Sequence, residues 1–153
     1  YKMRILSLFA VAILFVSCGR YFMPDRRLKR HVQESELVGE WNLRSSSIEI
    51  LARDGYVQKS SSKHTLAIRE DGSMTFISAY PDSDEIHHIT AEGRWGLQHN
   101  DDGTTALEIS MRFGGSDHSE AFSFAEEDGR IVLWQSYGDP DMWEFIEYTK
   151  NKS

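Results

Sequence analysis

The sequence predicts an all-β domain: an antiparallel meander of about eight to ten short strands, built as a barrel or a sandwich. Three observations predict it. Apolar and polar residues alternate with period two over most of the chain after Leu37; Leu107, Ile109, Met111 and Phe113 interleave with Glu108, Ser110 and Arg112. The pairs Asp71-Gly72, Asp102-Gly103 and Asp128-Gly129 separate such runs, and Asp-Gly supplies the positive φ angles that tight hairpins demand. Aromatic residues make up 12% of the 153 residues, a large apolar load for so small a body.

The chain begins with a different kind of segment. Lys2 and Arg4 lead into an apolar run, 5–16, and Ser17 stands just before Cys18, the one cysteine present. A basic start, about a dozen apolar residues and a small residue are the parts of a secretory signal peptide. A membrane-spanning helix needs about 20 apolar residues, and Gly19-Arg20 ends this run early. The tetrad Phe15-Val16-Ser17-Cys18 resembles the lipobox of bacterial lipoproteins. That resemblance implies cleavage before Cys18, a diacylglycerol on its sulfur, and a protein held on the cell-envelope membrane. Gly19 in place of an aspartate implies the outer membrane, facing the periplasm. A plain cleaved signal and an uncleaved anchor are the alternatives. With Cys18 acylated, the mature chain has no disulfide and no thiol chemistry, so its stability must come from a hydrophobic core.

Residues 18–36 read as a tether. Arg20, Arg26, Arg27, Lys29 and Arg30 stand there against Asp25 alone up to His31, a basic patch suited to anionic headgroups beside a lipid anchor. From Val32 onward there are 10 basic and 23 acidic residues, a net of −13. That balance excludes nucleic acid, whose phosphates need a basic footprint. It would suit a basic protein partner.

The strands follow in order. The alternation and turn signals place them at 40–46, 48–52, 56–60, 64–70, 73–80, 86–97, 105–113, 119–126, 130–137 and 143–149. Leu66 and Ile68 share one face of the fourth. Met74, Phe76 and Tyr80 stud the fifth. Phe122 and Phe124 alternate in the eighth, and Ile131 and Leu133 in the ninth. Gly114-Gly115-Ser116-Asp117 and Gly138-Asp139-Pro140-Asp141 supply further connections.

At the head of this meander stands Leu37-Val38-Gly39-Glu40-Trp41, which resembles the G-x-W opening of lipocalin-like proteins. The resemblance implies that residues 37–150 close into a lipocalin-like (calycin) β-barrel, with Gly39 permitting the bend into the first strand and Trp41 plugging one barrel end. It also implies an arginine near the last strand packed over that tryptophan; no arginine stands there, and Lys150 is a poor substitute.

Polar clusters carry little chemistry. His87 and His88 are adjacent in a strand, so they point to opposite faces and cannot grip one ion. Asp82-Ser83-Asp84-Glu85 lacks the glycine and distant glutamate of a calcium loop. The serines at 45–47 and 60–62 have no nucleophile-elbow context. Glu126-Glu127-Asp128 reads as a solvated turn. The expectation is a non-enzyme without metal or cofactor. The aromatics are the better lead. An eight-stranded barrel either fills with side chains or holds one small ligand. In the first case the rings are core. In the second, Phe76, Met111, Phe122 and Phe124 line an apolar pocket for a small apolar ligand or lipid.

Overall fold

A computed structural model describes residues 25–59, 63–82, 85–138 and 143–150, the side chains of 80–87 apart. Cys18 and the apolar run before it lie outside the described residues. After a short helix α1 (Glu34–Leu37) come β1 (Gly39–Leu43), helix α2 (Ser45–Arg53), β2 (Thr65–Ile68), β3 (Ser73–Asp82), β4 (Glu85–His99), β5 (Thr105–Phe113), β6 (Ser116–Glu127), β7 (Arg130–Tyr137) and β8 (Glu144–Lys150). Each strand pairs antiparallel with the next, and β8 returns to β1 through Trp41–Lys150, Asn42–Thr149 and Leu43–Tyr148. The sheet is therefore a closed eight-stranded meander barrel, consistent with a lipocalin-like barrel. Closure leaves no edge strand unpaired along the sheet.

The hairpins follow the turn chemistry. Asp128 and Gly129 both adopt positive φ, 52° and 72°, as a tight two-residue turn between β6 and β7 requires. The strands alternate as expected: Leu107 and Ile109 of β5 are buried and face inward, while Glu108 and Ser110 are exposed.

Two of the ten expected strands, 48–52 and 56–60, are not strands. The first lies in α2 and the second in the turns after it. Ile48 and Ile50 suggested period two, but Ile48, Leu51 and Ala52 also share a helical face. The helix ends in a Schellman pattern, with Tyr56 N–H on the Leu51 carbonyl at 2.8 Å and Gly55 N–H on the Ala52 carbonyl at 3.2 Å. Gly55 takes φ 79°, a conformation that suits a glycine. A helix here is compatible with β8 because a side chain completes the ladder. The buried Ser47 hydroxyl donates to the Phe145 carbonyl (3.1 Å) and accepts from the Glu147 N–H (2.9 Å). It thereby satisfies the β8 groups that a longer β1 would have bonded.

The described part of the expected tether, residues 25–36, is packed against the barrel. Residues 25–36 run across one end of the barrel as a strap. Leu28 N–H donates to the Phe124 carbonyl at 2.7 Å, just where β6 has outrun β5. Val32 N–H donates to Thr105 Oγ1 at 3.1 Å. Val32 and Leu37 are fully buried, in one core with Trp41, Phe124 and Leu133. The described basic residues of the strap pair with carboxylates of the strap itself and of the barrel. Arg26 contacts Glu127 (2.9 Å) and Glu147 (2.7 Å), Arg27 and Lys29 reach Asp25 and Asp102, and Arg30 reaches Glu36 (2.7 Å). Arg26 also lies over the rings of Trp134 and Phe145 on the outer face, 5.6 and 4.8 Å from their centroids.

Candidate functional site

The barrel interior is half filled and half hollow, and the strap end is the filled half. Trp41 is 1% exposed, and its indole N–H donates to the Leu37 carbonyl at 2.8 Å. Lys150 holds its ammonium 6.0 Å from the Trp41 ring centre and donates to the Glu36 carbonyl at 3.1 Å. Gly39 has φ 137°, and a Cβ there would sit 2.7 Å from Lys150 Cε. Thus Gly39, Trp41 and Lys150 form one packed unit at the closed end, with a lysine where the resemblance implies an arginine.

The opposite end holds a cavity of about 370 Å³. Its walls come from β2 to β8 by strand parity. Phe76 of β3 and Ala91 of β4 face each other across a ladder, as do Met111 and His118 of β5 and β6. Of the four residues expected to line a pocket, Phe76, Met111 and Phe122 do so. Phe124 does not: it is 1% exposed and packed in the filled half with Val32 and Leu133. Two residues farther along β6, its side chain has passed beneath the floor of the cavity. The filled-core and hollow-barrel readings each hold for one end.

Helix α2 and the turns after it pack at the open end, and Leu51, Tyr56 and Val57 complete the lining. Gln58 N–H donates to the Ala79 carbonyl at 2.7 Å. His64, buried rather than on the surface, anchors the same segment. Its Nε2–H donates to the Gln58 carbonyl (3.2 Å) and its Nδ1 contacts the Ser78 hydroxyl (3.0 Å). A polar clip ties the segment to the β7–β8 rim. Arg53 forks onto Glu144 (2.6 and 2.9 Å) and Asp54 (2.8 and 3.0 Å), while the Tyr137 hydroxyl donates to Asp54 at 3.0 Å. Bonding to Arg53, then to Tyr137, holds the Asp54 carboxyl below its ordinary pKa. Arg53 does the same to Glu144. Burial, then the bond to Asp54, pushes Tyr137 up to about 12.

Polarity is graded along β6. Phe124 and Phe122 are buried, Glu120 and His118 farther out are exposed, and all four share one parity. Tyr148 lies across from Phe122, its ring edge-on at 5.8 Å. Its phenol is raised above the ordinary range by burial and then by the negative charge of Glu120. Among the described residues, the large exposed apolar side chains are Tyr56, Phe113 and Trp143. Tyr56 and Phe113 border the cavity, and Trp143 immediately precedes β8 at the same rim.

Leu51 and Val57 lie in 48–52 and 56–60, whose alternation suggests strands, and they escape the expected lining, as do His118 and Glu120. The last two were legible, since they share the parity of Phe122. Among the described residues no group of three His, Cys, Asp or Glu side chains is placed to hold a metal ion. His31 instead stacks on His99 with centroids 4.5 Å apart. Among the described residues no helix is long and apolar enough to cross a membrane. No protein family, no curated protein and no solved structure matches this chain.

Proposed function

We propose that this chain is an envelope lipoprotein whose barrel binds a small apolar ligand or lipid, tethered to the membrane through a lipidated Cys18. The observation that carries the binding reading is the 370 Å³ space walled by Phe76, Met111 and Phe122 at one end of an otherwise packed barrel. Its volume falls within the range of roughly 300–1,000 Å³ typical of small-molecule sites. Affinity would come from burial of apolar ligand surface, about 25 cal/mol per Å² before the costs of ordering. The exposed rings of Tyr56 and Phe113 border the mouth and would meet an apolar ligand as it enters. A purely protein-binding module with an acidic exterior would leave this cavity without a use. Support for the anchor is the basic, apolar and small-residue order ending at Cys18.

Native mass spectrometry of the chain from Gly19, purified from cells, tests the binding reading. A reproducible extra mass that disappears on denaturation supports it. A bare mass, with no uptake of the neutral fluorescent probe N-phenyl-1-naphthylamine, overturns it. Intact mass of the full chain extracted from membranes tests the anchor separately. A diacylglyceryl increment absent from the Cys18→Ala chain is the expected result, and an unmodified Cys18 overturns that part.

A further inference from the structure

Resting on that reading, we infer that the ligand carries a positive charge: a protonated amine or a quaternary ammonium joined to an apolar body. The cavity's chemistry is one-sided. Six aromatic rings line it (Tyr56, Phe76, Phe113, Phe122, Tyr137 and Tyr148), Glu120 supplies a carboxylate and His118 an imidazole, and among the described residues none of the lining is lysine or arginine. Rings present a negative face, and cages of them with a nearby carboxylate bind ammonium groups.

Among the described residues, three cations around this end have acidic partners: Arg53, Arg112 and Lys59, the last 3.4 Å from Glu49; Lys63 is exposed ahead of buried His64. Arg53 is bonded to Asp54 and Glu144. Arg112 lies at outward parity on β5, with Asp117 at 3.9 Å. A fatty-acid carboxylate entering this cavity would meet no lysine or arginine among the described lining residues and would bring a second negative charge towards Glu120. Like charges sharing a site disfavour ionisation of both. A neutral ligand would cover Glu120 and leave its charge partly desolvated, which is also unfavourable. An ammonium group removes both costs. Glu120 is close enough to the cavity wall for its charge to be felt by the buried Tyr148.

The test is competition against N-phenyl-1-naphthylamine at neutral pH and physiological salt. The competitors share one chain length: decyltrimethylammonium, decanol and decanoate, all below their aggregation limits. Decyltrimethylammonium displaces the probe at a concentration at least tenfold below decanoate, with decanol between them. Glu120→Gln narrows that ratio to a few-fold. Glu108→Gln, on the outer face of β5, leaves it unchanged and so controls for the acidic exterior. Phe113→Leu keeps the apolar volume and weakens decyltrimethylammonium more than decanol, which tests the aromatic contribution independently of Glu120.

Decanoate binding as tightly as decyltrimethylammonium overturns the charge inference while leaving the cavity a ligand site. A preference insensitive to both Glu120→Gln and Phe113→Leu overturns its assignment to this cavity. Failure of the probe itself to bind overturns the ligand-binding reading on which the inference rests.

Discussion

Replacing Val32 with alanine tests whether the strap is part of the barrel. Val32 is fully buried, and it sits in the same core as Leu37 and Trp41. Truncation removes two carbons, about 1.6 kcal/mol of burial at about 0.8 kcal/mol per methylene. The space left behind adds a further cost, for a total of about 2 kcal/mol. Leu37→Ala, at a site equally buried, costs about 3 kcal/mol by the same reasoning. Arg30→Ala is the internal control. It removes the Arg30–Glu36 pair, whose side chains are 43% and 31% exposed, and such a pair is worth about 0–1 kcal/mol. The assay is urea unfolding of the chain from Gly19, followed by tryptophan fluorescence. With m near 2 kcal/mol per M, a loss of about 2 kcal/mol lowers the midpoint by about 1 M. A Val32→Ala midpoint no lower than that of Arg30→Ala, at unchanged m, would refute the reasoning. The strap would then lie on the barrel without belonging to its cooperative unit.

Other consequences of the packing are as direct. Gly93→Ala destabilises by about 2–3 kcal/mol, because a Cβ there would lie 2.2 Å from the Ser110 carbonyl oxygen; a raised urea midpoint would show that β4 and β5 are not so closely apposed. Ala91→Leu pushes three carbons into the cavity opposite Phe76. Uptake of N-phenyl-1-naphthylamine falls at least tenfold while stability holds or rises by about 1–2 kcal/mol, and uptake that survives places the probe elsewhere. The rim clip responds to pH with a defined sign. Asp54 and Glu144 have folded pKa values lowered by Arg53, so their contribution is present above the unfolded values of about 4. It is lost as pH falls through the folded ones. Tyr137 is raised to about 12, so its contribution is full below about pH 10 and lost as pH rises through that folded value. Stopped-flow release of the probe therefore quickens on acidification below about pH 4, and Arg53→Ala shows the fast rate already at neutral pH; a pH-independent rate in both would disconnect the clip from the cavity.

Much of this was legible before the fold was known, because strand parity is a local property. Period two and the Asp-Gly turns located all eight strands to within a few residues, and 105–113 and 130–137 match their observed bounds. Parity also put Phe76, Met111 and Phe122 on one face, and all three border the cavity. The same rule misplaced α2, because Ile48, Ile50 and Leu51 satisfy both helical and strand spacing over so short a window. The Schellman ending at Gly55 was the local signal for the helix.

What the sequence determined by itself was class, order and face: an all-β meander whose side chains alternate between inside and outside. Tertiary structure decided depth. Phe122 and Phe124 have identical parity and differ by two positions along β6, yet one borders the hollow and the other lies in the packed core. Depth depends on where the barrel closes and on what crosses its end. Both are set by long-range contacts, such as Leu28 to Phe124 and Val32 to Thr105. Residues 25–36 are rich in charge, and that charge suggested a tether. Val32 within that segment and Leu37 just after it are fully buried, and burying those side chains stabilises the strap more than its exposed ion pairs do.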